Sequence, residues 1–385
     1  MLSVYLLAGR LPLYVDLLQN PPSGIRYTRR RNEDYLGQIS TYYAQGRSAH
    51  YFGRKAASIL IDRFKIPPVA WLPARGADII HSTSGILPLN PRPWVLELDY
   101  VGYFFGNNMH NSRSIQNSMM KAIVAKRLSS NNCRRIVCWS QAAKNSVASV
   151  FGDNRSLMEK TTILYPAVPP AGPRGETRSD GLRILYVSSS FGTKGGEEVL
   201  LAFSRLCKKF DDIELLFKCD TPPEFRKKFT TKKISFYPYR TQLLSRTELM
   251  ERFYMSSDVF LYPTFADLFG LNLLDAMAAG LPIVSTRTFA VPEIVKEAKN
   301  GYLVDPPYSW HNDNFLPRQG RFEYTQKQKE QFVNSLVDKT AQLIESPSIR
   351  SRMATENRSL TENGIFSTEF RGKTLKRIYE DCVGN

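Results

Sequence analysis

The chain has 385 residues, 42% of them hydrophobic, 12% aromatic and 23% charged, enough apolar surface to offset chain entropy, which excludes a disordered or low-complexity protein. The length exceeds one ordinary core and fits two domains of typical size. Lys and Arg number 52 against 36 Asp and Glu, a formal net charge of +16, so an anionic partner is expected.

The charge is uneven. Residues 1–172 hold 21 basic and 9 acidic residues, a net of +12, and residues 173–385 hold 31 and 27, a net of +4. No apolar run approaches the ~18–20 residues that span a bilayer. The opening Met1–Arg10 stretch lacks the basic start and the apolar length of a secretion signal and reads as a first strand. Five cysteines with no C-x-x-C pair predict a reducing compartment, the cytoplasm, without structural zinc.

In chain order, residues 3–8, 78–82, Trp94–Leu98 and 136–139 read as strands, and 116–128 as a helix with Ile123, Val124 and Leu128 on it. Residues 24–55 interleave basic and aromatic side chains: Arg26, Tyr27, Arg29, Arg30, Arg31, Tyr42, Tyr43, Arg47, Tyr51, Phe52, Arg54 and Lys55. Such a stretch suits an anionic membrane surface, with rings at headgroup depth and each basic side chain worth ~1 kcal/mol, and it also fits a solvated basic face. Nucleic acid is the rival partner, but there is no recognition helix, RNP-like or zinc pattern, so no specific nucleic-acid partner is expected.

Residues 166–181, P-A-V-P-P-A-G-P-R-G-E-T-R-S-D-G, hold neither helix nor central strand and read as a linker. Beyond it the alternation is regular. Leu182–Val187, Ile213–Lys218, Ile234–Tyr237, Val259–Tyr262 and 282–285 read as strands, and 197–210 is the first of the intervening helices. That pattern implies a parallel sheet covered on both faces. The domains expected are 1–170, a linker at 171–181, 182–367, and a C-terminal helix over 368–385 that packs back towards the N-terminal domain.

The stretch with chemistry is residues 258–280, D-V-F-L-Y-P-T-F-A-D-L-F-G-L-N-L-L-D-A-M-A-A-G. A buried strand runs into a turn at Pro263 and Thr264, and a helix starts near Gly270. Asp267 stands just before that helix and Asp275 within it, eight positions on and about 80° round if both were helical. Backbone N–H groups at Phe269, Gly270 and Leu271 offer a helix N-terminus to a phosphate, with Gly270 permitting close approach. Taken alone, this spacing reads as an N-cap and a solvated helix residue. The order of the surrounding features sets it apart.

That order, Asp267-Leu-Phe269-Gly270-Leu271 followed by Leu273-Leu274-Asp275-Ala276-Met277-Ala278, then Gly280-Leu281-Pro282, Pro292-Glu293 and Asn300-Gly301, resembles the retaining nucleotide-sugar glycosyltransferases of the GT4 type, glycosyl transferases group 1. Upstream, Thr193-Lys194-Gly195-Gly196 resembles the family's phosphate-binding turn. The resemblance is dense from 182 to 305 and sparse before 170, where Asp78-Ile-Ile-His81, Glu97-Leu98-Asp99 and Ile163–Val168 stand at family-like positions.

The resemblance implies an α/β fold of GT-B type, two Rossmann-like doubly wound parallel-sheet domains facing a central cleft. It implies that Asp275 holds the donor ribose and that Asp267 contacts the sugar. Phe269, Gly270 and Leu271, with Lys194 and Gly195, would receive the diphosphate. Asp99 stands where the family often has a cleft His, and Tyr237 and Tyr239 are candidates to flank the nucleobase. The expected catalytic set is Asp267, Asp99 and Lys194. No D-x-D metal motif ends a strand, so no metal and no cofactor beyond the donor substrate are expected. The implied activity is transfer of a sugar from a nucleotide diphosphate sugar to an acceptor hydroxyl with retention, the acceptor being a lipid-linked or polysaccharide glycan.

Four departures stand out. Both acids are Asp where the family usually has Glu. Thr193 replaces a basic residue, with Arg240 or Arg287 as candidates to supply that charge. Asp99 replaces the His, and Phe289-Ala290-Val291 replace common glycines. A non-catalytic nucleotide-sugar-binding subunit is therefore the alternative. For Glu97 a buried structural carboxylate and a cleft role are both open, and His81 reads as a structural histidine.

Overall fold

The computed structural model describes residues 1–7, 12–29, 67–83, 85–105, 115–173, 181–242, 244–318 and 323–384. The basic and aromatic positions from 30 to 55 lie outside these residues, as do 174–180 of the expected linker. The chain forms two compact units. The first comprises Met1–Pro166, His311–Gly320 and Glu369–Asn385, and the second Ala167–Trp310 and Arg321–Thr368.

In the first unit a six-stranded parallel sheet takes the order β2-β1-β4-β6-β7-β8. Its strands are β1 (Leu2–Leu6), β2 (Ile25–Thr28), β4 (Ile79–Thr83), β6 (Trp94–Leu98), β7 (Cys133–Cys138) and β8 (Thr161–Ile163), and the short strands β3 (Val69–Ala70) and β5 (Leu87–Pro88) pair separately. All five residues of β4 and of β6 are buried, as expected of central parallel strands covered on both faces. β7 begins three residues before the strand expected at 136, because Arg134 and Arg135 break the apolar run. β2 was not foreseen: Arg26 and Tyr27, counted with the basic stretch, lie in this edge strand.

The helix Thr368–Val383 completes this unit. The Arg371 guanidinium donates to the Tyr165 carbonyl (2.8 Å) and to Glu97 on β6. Residues of the 311–320 segment join it through Ser149 Oγ, which donates to the Asn314 carbonyl (2.6 Å), and through the Tyr100 and His311 rings, 5.6 Å apart.

The second unit also has a six-stranded parallel sheet, in the order β11-β10-β9-β12-β13-β14. Its strands are β9 (Leu182–Val187), β10 (Ile213–Lys218), β11 (Ile234–Tyr237), β12 (Val259–Tyr262), β13 (Ile283–Thr286) and β14 (Gly301–Val304). Numbered within the unit this is 3-2-1-4-5-6, the doubly wound order, with its switch point between β9 and β12. The helix expected over 197–210 spans Gly196–Leu206. Helix Gln326–Glu345 packs on it through the Lys329–Glu197 pair (2.6 Å) and an Arg205–Glu330 pair. Among the described residues no helix is long and apolar enough to cross a membrane.

Candidate functional site

In a parallel sheet every strand ends on the same side, and at the switch point the flanking loops turn in opposite directions and leave a crevice. Here β9 leads into the turn 188–195 and its neighbour β12 into the loop 263–270. The two are fastened together. Phe265 N–H donates to the Thr193 carbonyl (3.0 Å), the Tyr186 hydroxyl to the Lys194 carbonyl (3.1 Å), and Asn272 Nδ2 to the Val187 carbonyl (3.0 Å). Gly195 holds φ +70°, and a Cβ there would stand 2.3 Å from the Pro263 carbonyl oxygen. Only glycine allows these turns to touch.

Lys194 and Asp267 meet at this junction. Lys194 Nζ lies 2.7 Å from Asp267 Oδ2 and donates to the Ala266 carbonyl (2.5 Å). The same Oδ2 accepts from the Tyr262 hydroxyl (2.9 Å). Burial, reinforced by the Asp267 charge, keeps that hydroxyl far above its ordinary pKa, so it stays a donor. Among the described residues Asp267 Oδ1 has no hydrogen bond, and Lys194 retains one of its three N–H donors.

Gly270 precedes helix Leu271–Ala278 in the left-handed conformation, φ +93°. A Cβ there would lie 2.8 Å from Leu273 Cδ1 and 3.8 Å from Asp267 Oδ2. The N-terminus of the helix therefore opens beside the Lys194–Asp267 pair, where the Leu273 N–H donates back to the Gly270 carbonyl (2.9 Å). Phe269 is buried and Leu271 is the first helical residue.

Asp275 lies one turn before the end of this helix. Its Oδ1 accepts from Arg246 Nε (2.8 Å), and Arg246 Nη2 donates to the Pro169 carbonyl (2.9 Å). Burial raises the Asp275 carboxyl above its ordinary value, and the Arg246 charge and hydrogen bond pull it down. Among the described residues Asp275 Oδ2 is unengaged. Arg246 was not anticipated: it opens the short helix Arg246–Leu249 behind a Ser245–Glu248 capping box, a motif that signals a helix start and nothing of a partner 29 residues on.

The remaining positions are spread out. The Tyr237 ring lies edge-on to Phe253 at 5.0 Å, and Tyr239 N–H donates to Asp220 Oδ1 (2.8 Å). Their loop is held from below by Lys218, a 1% exposed lysine that donates to the Pro238 (2.8 Å) and Gln242 (3.1 Å) carbonyls. Burial, aided by the Arg252 charge, lowers its pKa. Arg240 turns to Asp220 (3.6 Å) and Arg287 to Glu297 and Asp305, and the Thr193 hydroxyl bonds to Ser190 Oγ (2.7 Å). Neither arginine's ion pairs involve the turn at Lys194. Phe289 sits at φ +41°, so the backbone keeps a left-handed shape where the family commonly has glycine.

Asp99 belongs to the first unit, half-buried just after β6. Its charge adds to the burial that raises the Tyr14 hydroxyl pKa. The preceding acid, Glu97, is fully buried: Oε1 accepts from Trp139 Nε1 and Arg371 Nη2, and Oε2 lies 2.9 Å from His81 Nε2. His81 Nδ1 bonds in turn to the Tyr379 hydroxyl (2.6 Å). Glu97 and His81 are structural.

Residues 173–312 match the family described as glycosyl transferases group 1. Among curated proteins, the sulfoquinovosyl transferase SQD2 of Arabidopsis thaliana is 32% identical over 120 residues, 30% of this chain and 22% of that protein. The phosphatidylinositol N-acetylglucosaminyltransferase GPI3 subunit of Saccharomyces cerevisiae is 22% identical over 181 residues, 44% and 39%. The lipopolysaccharide glucosyltransferase WaaG of Escherichia coli is 28% identical over 141 residues, 35% and 36%. The chain thus spans well under half the length of each. Among solved structures, Anabaena HepE in complex with UDP superposes with a TM-score of 0.62 at 11% identity, covering 99% of this chain and 100% of that one. The crystal structure of WaaG does so with a TM-score of 0.52 at 15% identity, covering 98% and 99%. At such identities the likeness shows the fold, which is GT-B. Residues 173–312 thus carry the domain of the glycosyl transferases group 1, within a chain of two parallel-sheet α/β units.

Proposed function

We propose that the protein is a glycosyltransferase that moves a sugar from a nucleotide diphosphate sugar to an acceptor hydroxyl with retention of configuration. The observation that carries this reading is the Lys194–Asp267 pair seated beside the N-terminus of helix Leu271–Ala278, at the switch point of the second unit. Departure of a nucleoside diphosphate builds negative charge on the leaving oxygen. A fixed ammonium with an N–H to spare, beside the N-terminus of a helix, stabilises such charge without reorganising. Lys194 with Gly195, Phe269, Gly270 and Leu271 would take the diphosphate. Asp267 Oδ1 and Asp275 Oδ2, each the free oxygen of an anchored carboxylate, would accept hydroxyls of the sugar and the ribose. Tyr237 and Tyr239 would flank the base, and Asp99 would take part in the reaction. These residues do the work without a metal.

The acceptor in this reading is a lipid-linked or polysaccharide glycan, met by a cytoplasmic enzyme at an anionic membrane surface. The +12 of residues 1–172 and relatives named for phosphatidylinositol and lipopolysaccharide support it. Calorimetric titration with UDP, GDP and ADP tests the donor site: one of the three binds in the micromolar range (roughly −8 kcal/mol), and Lys194→Ala weakens it roughly 10- to 100-fold. No binding by any of them removes the reading. Cosedimentation with anionic vesicles at low salt tests the membrane surface, and protein left in the supernatant removes it. The Thr193 hydroxyl in place of a second cation favours one other reading, a subunit that binds nucleotide sugar without turnover. Nucleotide binding with no sugar released or transferred would identify it.

A further inference from the structure

Asp275 would be a poor ligand for a hydroxyl if left alone. Burial favours its neutral form, and a protonated carboxyl gives up acceptor capacity and becomes a donor. Arg246 counters this from one side. Its Nε holds Oδ1 at 2.8 Å and its Nη2 reaches the Pro169 carbonyl at 2.9 Å, so the planar fork ties a helix of the second unit to the chain segment ahead of β9. Both side chains are about one-fifth exposed, 23% for Arg246 and 20% for Asp275, too sheltered for water to do the same work. A guanidinium spans two acceptors in a fixed plane, and an ammonium does not.

We propose that Arg246 is a positioning residue for the donor: it keeps Asp275 ionised, aims its free oxygen at the ligand, and fixes both to the backbone at Pro169. The proposal rests on the reading of Asp275 as the ribose carboxylate. Arg246 does not touch the sugar or the phosphates and acts through Asp275.

The other groups facing this pair do not replace it. Tyr254, on the wide π-turn Met250–Tyr254, is buried; burial foremost, and the Asp275 charge after it, hold its hydroxyl well above its ordinary pKa, so it stays neutral. Tyr239 faces Tyr254 from the base loop and adds to that rise. From helix Pro347–Glu362, which packs on Leu271–Ala278, Arg358 turns away to Glu362 (2.7 Å) and to the Gly172 carbonyl (3.1 Å). Arg246 is the cation whose ion pair is with Asp275.

The test is calorimetric affinity for UDP, GDP and ADP between pH 5 and 8 in wild type, D275N, R246Q and R246K, with folding checked by circular dichroism. The ionised carboxylate is the binding form, so affinity falls as pH drops through the Asp275 pKa. Without Arg246 that pKa rises and the fall begins at higher pH. R246Q should bind about tenfold more weakly at neutral pH, with its loss on acidification displaced upward. R246K keeps the charge and loses the fork, so it should bind about threefold more weakly with the wild-type pH profile. Wild-type affinity and profile in a folded R246Q overturn the proposal, and so does wild-type affinity in R246K should R246Q not fold. If D275N binds as wild type does, the reading of Asp275 fails and the proposal falls with it. If D275N loses binding while R246Q keeps it, that reading stands and the proposal alone is wrong.

Discussion

Glu97 in the first unit and Asp275 in the second are both acids held by an arginine, and they use their oxygens differently. Glu97 has both engaged, one by Trp139 and Arg371 and the other by His81. Burial works against its charge, but the Arg371 charge and the His81 hydrogen bond outweigh this and lower its pKa to about 2. Asp275, like Asp267, has one oxygen anchored and one unengaged among the described residues. For Asp275 burial wins and the carboxyl is raised. A carboxylate satisfied on both sides holds a fold together. One satisfied on one side costs the fold something and remains able to bind.

The comparison breaks most visibly at Arg371. Arg371→Ala leaves Glu97 buried without its counter-charge and should cost about 3–5 kcal/mol in stability. Chemical denaturation measures this, and a loss under about 1 kcal/mol would mean that the cluster is not what holds the helix Thr368–Val383. Acid should act on the same group with a fixed sign. The folded pKa of Glu97, about 2, lies below its ordinary 4.5, so its contribution is complete above pH 4.5 and fades as pH falls towards 2. The unfolding free energy followed from pH 5 to pH 2.5 should drop by about 2 kcal/mol more in wild type than in Glu97→Gln. Equal slopes would contradict the shift.

At the candidate site the effects should move from stability to binding. Lys194→Ala should weaken nucleotide binding by roughly 10- to 100-fold, the worth of a charge-assisted contact of about 1.5–3 kcal/mol. Its melting temperature should change by only a few degrees, because the pair is partly exposed. The smallest effect is the most discriminating. The folded pKa of Asp275 lies above its unfolded value, so the folded state prefers the proton, and stability declines as pH rises through that pKa. At neutral pH Asp275→Asn removes this cost, and Asn still accepts from Arg246. The variant should melt no lower than wild type, and a marked fall in melting temperature would place Asp275 with Glu97 as a structural acid.

Much of the second unit was legible because its strands are buried on both faces. Ile184–Val187 on β9 and all four residues of β12 read as unbroken apolar runs. The first unit was harder for the same physical reason in reverse, since Arg26 in β2 and Arg134 and Arg135 in β7 interrupt the runs. Lys194, Asp267 and Asp275 were visible as residues. That Lys194 pairs with Asp267 was not, because the partners stand 73 positions apart and neither turn announces the other. Arg246 and Lys218 were invisible for a related reason. Each looks like an ordinary surface cation until the fold puts carbonyls within its reach.

The cluster that closes the first unit joins Glu97 to Arg371 across 274 positions of sequence. During synthesis at about 5–20 residues per second, the glutamate therefore waits roughly 14 to 55 s for its arginine to be made. In that interval the second unit is translated in full. Domains usually fold in the order in which they emerge. Here Glu97 is made before the second unit and Arg371 after it, so the bond between them forms only once the helix Thr368–Val383 has been made.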